Sequence, residues 1–171
     1  MKIIDDFLPS DQFKELQSII LEDLFPWYYK DSIVHDDDGK IGFTHTFYNV
    51  EPPWNGQASE IYPLLEPCLN KLGATNLQRI KANLNVKTLF HRKTGWHTDN
   101  YDCNTTALLY FNTNNGWTEF KKGGKVKSVE NRMVIFDSNL KHTGVTCTNE
   151  NRRVMINFNY DGFPLELFEQ F

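Results

Sequence analysis

Thr105-Thr106-Ala107-Leu108-Leu109-Tyr110-Phe111-Asn112 is a short, nearly continuous apolar run set between polar turns. A half-buried strand would carry polar residues at every second position, so this run predicts a strand covered on both faces. Working outward, Asn114-Asn115-Gly116 turns the chain into Trp117 to Phe120, and Lys122-Gly123-Gly124-Lys125 turns it again. Arg132 to Asp137 carries Val134-Ile135-Phe136 at its centre, and Arg153 to Tyr160 is the last strong strand. Upstream, Gln78 to Phe90 puts Lys81, Asn83, Asn85 and Lys87 on one side and Ala82, Leu84 and Val86 on the other. A polar face on an interior strand implies a wet or ligand-filled interior. About eight short strands at turn-punctuated spacing predict a double-stranded β-helix, the jelly-roll core of a mainly β chain with N-terminal helices (α+β).

The N-terminal part reads differently. Met1 to Phe7 is a short strand, and Pro9-Ser10-Asp11 starts a helix with Ser10 as its N-cap and Phe13, Leu16, Ile19 and Ile20 on its packed face. The aromatic run from Phe25 to Tyr29 ends it. Ile41 to Val50 alternates as a strand, which makes His45 a packed or hydrogen-bonded residue rather than a ligand. Between Ser59 and Gly73 a helical period returns, but Pro63 and Pro67 require a late start or a kink. The expectation is a single domain over residues 1–171, with a helical part at 1–76 and the jelly-roll core at 77–161.

Net charge is -4, with Lys and Arg scattered, so neither nucleic acid nor an anionic membrane surface is an expected partner. Cys68, Cys103 and Cys147 are odd in number and unpaired in spacing, and Asp5-Asp6 interrupts any leader-like start. A reducing, cytoplasmic setting is the expectation. No apolar run approaches the ~20 residues that cross a bilayer.

The chemistry centres on Gly95-Trp96-His97-Thr98-Asp99-Asn100 and Lys141-His142-Thr143-Gly144. Alternate residues of a strand share a side, so His97 and Asp99 lean into one space, and His142 from a neighbouring strand completes two nitrogens and one oxygen. That set leaves the opposite face of a metal open and suits Fe(II) used for oxygen chemistry. A second His-x-Asp, His35-Asp36-Asp37, sits in a polar, turn-like run and reads as a solvated loop.

From about Lys81 to Asp161 the chain resembles the Fe(II)- and 2-oxoglutarate-dependent dioxygenases, in their prolyl-4-hydroxylase-like branch. The resemblance is carried by His97-Thr98-Asp99, Leu108 to Asn112, Gly116 to Phe120, Phe136, His142 and Arg153 to Asn159. It implies that His97, Asp99 and His142 hold Fe(II), and that 2-oxoglutarate and O2, optionally with ascorbate, are used to hydroxylate a C–H bond with release of succinate and CO2.

The far carboxylate of 2-oxoglutarate calls for a buried guanidinium. Arg153 shares its side with Met155, Asn157 and Asn159, the more polar face, and is the first choice; Arg152 is the fallback. Tyr110 matches a position that offers a phenol to the same carboxylate, and Asn83 and Thr118 are further lining candidates. Two departures from the family pattern are Met155, where a small polar residue is usual, and Gly116-Trp117 in place of Gly-Gly. By resemblance the leading substrate is a peptidyl proline, followed by another protein residue or a small molecule. Trp96, Tyr101 and Trp117 are placed near the mouth. The competing readings are a cupin-like Zn(II) or Mn(II) hydrolase or isomerase, and a non-catalytic jelly-roll binding module.

Overall fold

A computed structural model describes residues 1–34, 40–99 and 101–162. His35-Asp36-Asp37 therefore lies outside the described residues. The strands are β1 (Lys2–Ile4), β2 (Tyr28–Lys30), β3 (Gly42–Asn49), β4 (Thr75–Val86), β5 (Thr105–Tyr110), β6 (Trp117–Phe120), β7 (Gly124–Lys127), β8 (Met133–Asp137), β9 (His142–Val145) and β10 (Arg152–Asp161), with helices α1 (Ser10–Ile20) and α2 (Glu66–Leu72). They form an antiparallel sheet in the order β1-β8-β5-β10-β4-β3-β2, faced by a smaller sheet, β7-β6-β9. The two facing antiparallel sheets make the double-stranded β-helix.

β5 shows why its run is apolar without alternation. It lies between β8 and β10, and its two faces enter different cores. Ala107 and Leu109, with Phe111 just beyond the strand, pack with Phe13, Leu16, Ile20 and Leu72 of the helices. Leu108 and Tyr110 face the small sheet, against Phe120, Val126, Val134 and Phe136. Each fully buried leucine contributes roughly 1.5–3 kcal/mol by leaving water. The second cluster fills only part of the space between the sheets. The remainder is lined by the inward polar residues of β4 and β10.

Several local expectations are corrected. Ser10 is the first residue of α1 and not its cap: Phe13 N–H bonds the Pro9 carbonyl at 2.9 Å, and Pro9 takes the non-helical capping conformation without a side-chain cap. The 59–73 segment takes the late start, with a 3-10 turn at Tyr62–Leu65, Pro67 in the first turn of α2, and Gly73 closing it at φ 59. Gly124 and Lys125, read as turn, begin β7, because pairing with β6 overrides their weak propensity. Among the described residues, no helix is long and apolar enough to cross a membrane.

Candidate metal centre

His97 belongs to no named strand. It pairs with His142 through one antiparallel bridge, each backbone N–H donating to the other's carbonyl at 3.0 and 2.9 Å. Directly opposed residues present their side chains on the same face, and the two imidazole centroids lie 4.4 Å apart. Asp99, two residues on, is held by its N–H bond to the Ser138 carbonyl at 3.2 Å and points to the same side.

The protons on these rings are assigned by the backbone. His97 Nδ1 faces the Gly95 carbonyl at 3.1 Å, and His142 Nδ1 faces the Leu140 carbonyl at 2.9 Å. A carbonyl accepts only, so Nδ1 carries the hydrogen, and in the neutral ring the lone pair is on Nε2. His97 Nε2 is 4.0 Å from Asp99 Oδ1, and His142 Nε2 is 4.0 Å from Asp99 Oδ2. Ligand atoms of all three residues lie within 4.8 Å of one another. Three acceptors thus converge with no proton between them, an arrangement a cation relieves. A first-row ion with bonds of about 2 Å places adjacent ligand atoms about 3 Å apart, so it would draw these side chains together by about 1 Å.

Electrostatics favour the ligating forms of His97 and Asp99. Burial, and next the His142 ring, lower the His97 pKa and favour its neutral state. Burial opposes the Asp99 charge, but Arg79, both histidines and the Thr106 hydroxyl outweigh it and hold the carboxyl below its ordinary range. Thr106 Oγ1 donates to Asp99 Oδ2 at 2.8 Å, and Arg79 Nη2 lies 3.6 Å from Oδ1. Arg79 is itself fixed, donating to the Tyr101 hydroxyl (2.9 Å) and Asn159 Oδ1 (3.1 Å), with its guanidinium 4.4 Å over the Tyr101 ring. Sequence reading missed Arg79, Thr106 and Asn159. Arg79 falls on the polar side of β4 with Lys81 and Asn83, so alternation carried a signal; its link to Asp99 did not show.

At the far end of the same cavity, of about 580 Å³, sits Arg153. It is fully buried, and its Nε donates to Ser128 Oγ at 2.7 Å and its Nη2 to Thr118 Oγ1 at 3.0 Å. Nη1 meets the Met155 thioether at 3.2 Å, which gives the atypical methionine a role as a weak acceptor. Among the described residues, no carboxylate pairs with this guanidinium. Tyr110 stands behind, giving its hydroxyl hydrogen to Thr118 Oγ1 at 2.7 Å. Asn83 and Thr118 line the cavity, as do Trp96 and Tyr101. Arg152 turns the other way and bonds the Leu21 carbonyl. Trp117 packs against His91 and Lys125 instead of lining the cavity. His45 is held by the Pro26 carbonyl and Ser59, apart from the site.

No family model matches the chain. No curated protein matches it either. Solved structures do. A Burkholderia pseudomallei oxidoreductase of the 2OG-Fe(II) oxygenase family superposes with TM-score 0.68 at 13% identity, covering 92% of this chain and 83% of its own. A Trichoplax adhaerens prolyl hydroxylase, solved with a hypoxia inducible factor peptide fragment, gives 0.58 at 15% identity over 96% and 84%. A Pseudomonas putida prolyl-4-hydroxylase gives 0.56 at 14% identity over 94% and 92%. The chain has the fold of these oxygenases.

Proposed function

We propose that this chain is an Fe(II)- and 2-oxoglutarate-dependent dioxygenase. One observation carries the reading: a single cavity has three converging proton-free ligand atoms on its wall and, deeper in, a buried guanidinium with no carboxylate partner among the described residues. A dicarboxylic acid that chelates a metal through one end and needs a cation at the other matches both. His97, Asp99 and His142 would hold Fe(II), and Arg153, braced by Thr118 and Ser128, would receive the far carboxylate. Tyr110 orients Thr118, and Asn83 borders the space beside it.

When bound, the iron and 2-oxoglutarate would supply the oxidation, with O2, the keto acid and a substrate C–H giving succinate, CO2 and the hydroxylated substrate. The chain's own part is geometric. The backbone carbonyls of Gly95 and Leu140 fix the ligand tautomers, and Arg79 and Thr106 orient Asp99. No side chain is required as a general base. The peptide in the Trichoplax structure makes a peptidyl substrate, proline first, one class to test, and a small molecule is the other. Cys68, Cys103 and Cys147 are free thiols, in keeping with a reducing cytoplasm.

The test is conversion of 2-oxoglutarate to succinate by purified protein with Fe(II), with Zn(II) or Mn(II) as controls. Turnover that needs Fe(II) and is lost in Asp99→Ala and Arg153→Met is expected. Absence of 2-oxoglutarate binding to the Fe(II) protein would remove the proposal.

A further inference from the structure

Among the cations that line the cavity, Lys81 carries a charge that the dioxygenase reading does not use. β4 turns Arg79, Lys81, Asn83 and Asn85 toward the interior. All three nitrogens of Arg79 are engaged, by Asp99, Tyr101 and Asn159. Lys81 differs: it lines the cavity, yet among the described residues no hydrogen-bond acceptor or carboxylate takes its ammonium. The anions nearby do not answer it. Asp99 is committed to Arg79, Thr106 and the metal position, and Glu51 is exposed at the edge. Opposite Lys81 in register stands Asn157, whose buried Oδ1 has no donor. An ammonium on the cavity wall without a protein partner among the described residues, and an orphaned acceptor opposite it in register, describe a subsite that a ligand would complete.

Resting on the dioxygenase reading, we propose that Lys81 anchors an acidic group of the substrate, so that the substrate is a carboxylic acid of metabolite size bearing an N–H or O–H donor. Arg153 stands ready for the cosubstrate's far end, which leaves Lys81 for the molecule being oxidised. Size agrees, since a cavity of about 580 Å³ must hold both. Burial, and then Arg79, press the Lys81 pKa down to about 7, with Asp99 opposing and Lys30 adding to the fall. A bound carboxylate would restore the proton and fix the ammonium in place.

The experiment titrates the anaerobic Fe(II) and 2-oxoglutarate complex with free L-amino acids, each against its primary amide, following tryptophan fluorescence from Trp96 on the cavity wall. A blocked peptide carrying aspartate or glutamate separates a free acid from an acidic side chain in a polypeptide. At least one free acid is expected to bind ten times more tightly than its amide and than the peptide. Lys81→Met and Lys81→Gln, one keeping the apolar stem and one a polar end, are expected to bring acid and amide within twofold. The proposal is overturned if no acid is preferred over its amide, if the peptide binds best, if the preference survives both substitutions, or if 2-oxoglutarate loses more affinity than the acid does. Wild-type protein that discriminates acid from amide but binds no 2-oxoglutarate would retain the anion subsite and remove the dioxygenase reading.

Discussion

Replacing Lys81 by methionine should make the ligand-free protein more stable. The substitution keeps an unbranched apolar stem and deletes a charge that burial penalises. A pKa lowered from 10.5 to about 7 corresponds to roughly 5 kcal/mol against the charged form, at about 1.36 kcal/mol per unit. That is a ceiling. Water in the cavity relaxes part of it, so a gain of about 1–3 kcal/mol is expected, equivalent to a Tm rise of roughly 2–10 °C for a chain of this size. The sign follows from proton binding. Between about pH 7 and 10.5 the unfolded chain holds the Lys81 proton and the folded chain does not, so wild-type stability rises with pH there. The penalty is whole below pH 7 and fades above it. Urea unfolding of metal-free wild type and Lys81→Met at pH 6 and pH 9 reads both effects, with the larger advantage for the variant at pH 6. A variant less stable than wild type, or a difference independent of pH, would mean that the ammonium is hydrated or paired in the free protein.

Arg79→Gln strips Asp99 of its cationic neighbour, and Mn(II) affinity measured by calorimetry should fall about 10- to 100-fold; an unchanged affinity would show that Thr106 orients the carboxylate alone. Gly116→Ala would set a methyl 2.7 Å from the Val145 carbonyl and 2.8 Å from Arg153 Cδ. A loss of about 1–3 kcal/mol together with weaker 2-oxoglutarate binding is expected, and binding equal to wild type would mean the strand end yields without moving Arg153. Leu109→Ala opens a hole where β5 meets the helices, and urea unfolding should register a loss of roughly 2–5 kcal/mol; a loss under about 1 kcal/mol would mean the helices collapse onto the gap.

What was legible in the sequence was what period and composition encode locally. β5 could be read because both of its faces are buried, so its apolar residues run on without alternation, and Arg153 could be separated from Arg152 because neighbours on a strand face opposite ways. The His-x-Asp alternation likewise holds, although the segment is a bridge rather than a strand. What stayed hidden depends on register between distant strands. Arg79 reaches Asp99, and Asn159 holds Arg79, only because β4 and β10 pair Arg79 with Asn159. β7 was obscured for the same reason: Gly124 and Lys125 become strand through β6. Ser10 misled because a good capping residue one position late still looks like a cap.

The bonds from His97 and His142 to carbonyls two residues back have an evolutionary side. The partners are main-chain oxygens, present whatever side chain stands at positions 95 and 140, so no single substitution deletes them. Asp99 has the opposite arrangement, resting on the side chains of Thr106, Arg79 and Asn157. On the dioxygenase reading, drift or engineering can therefore retune the grip on a metal through Asp99, while the imidazoles stay insulated from change around them.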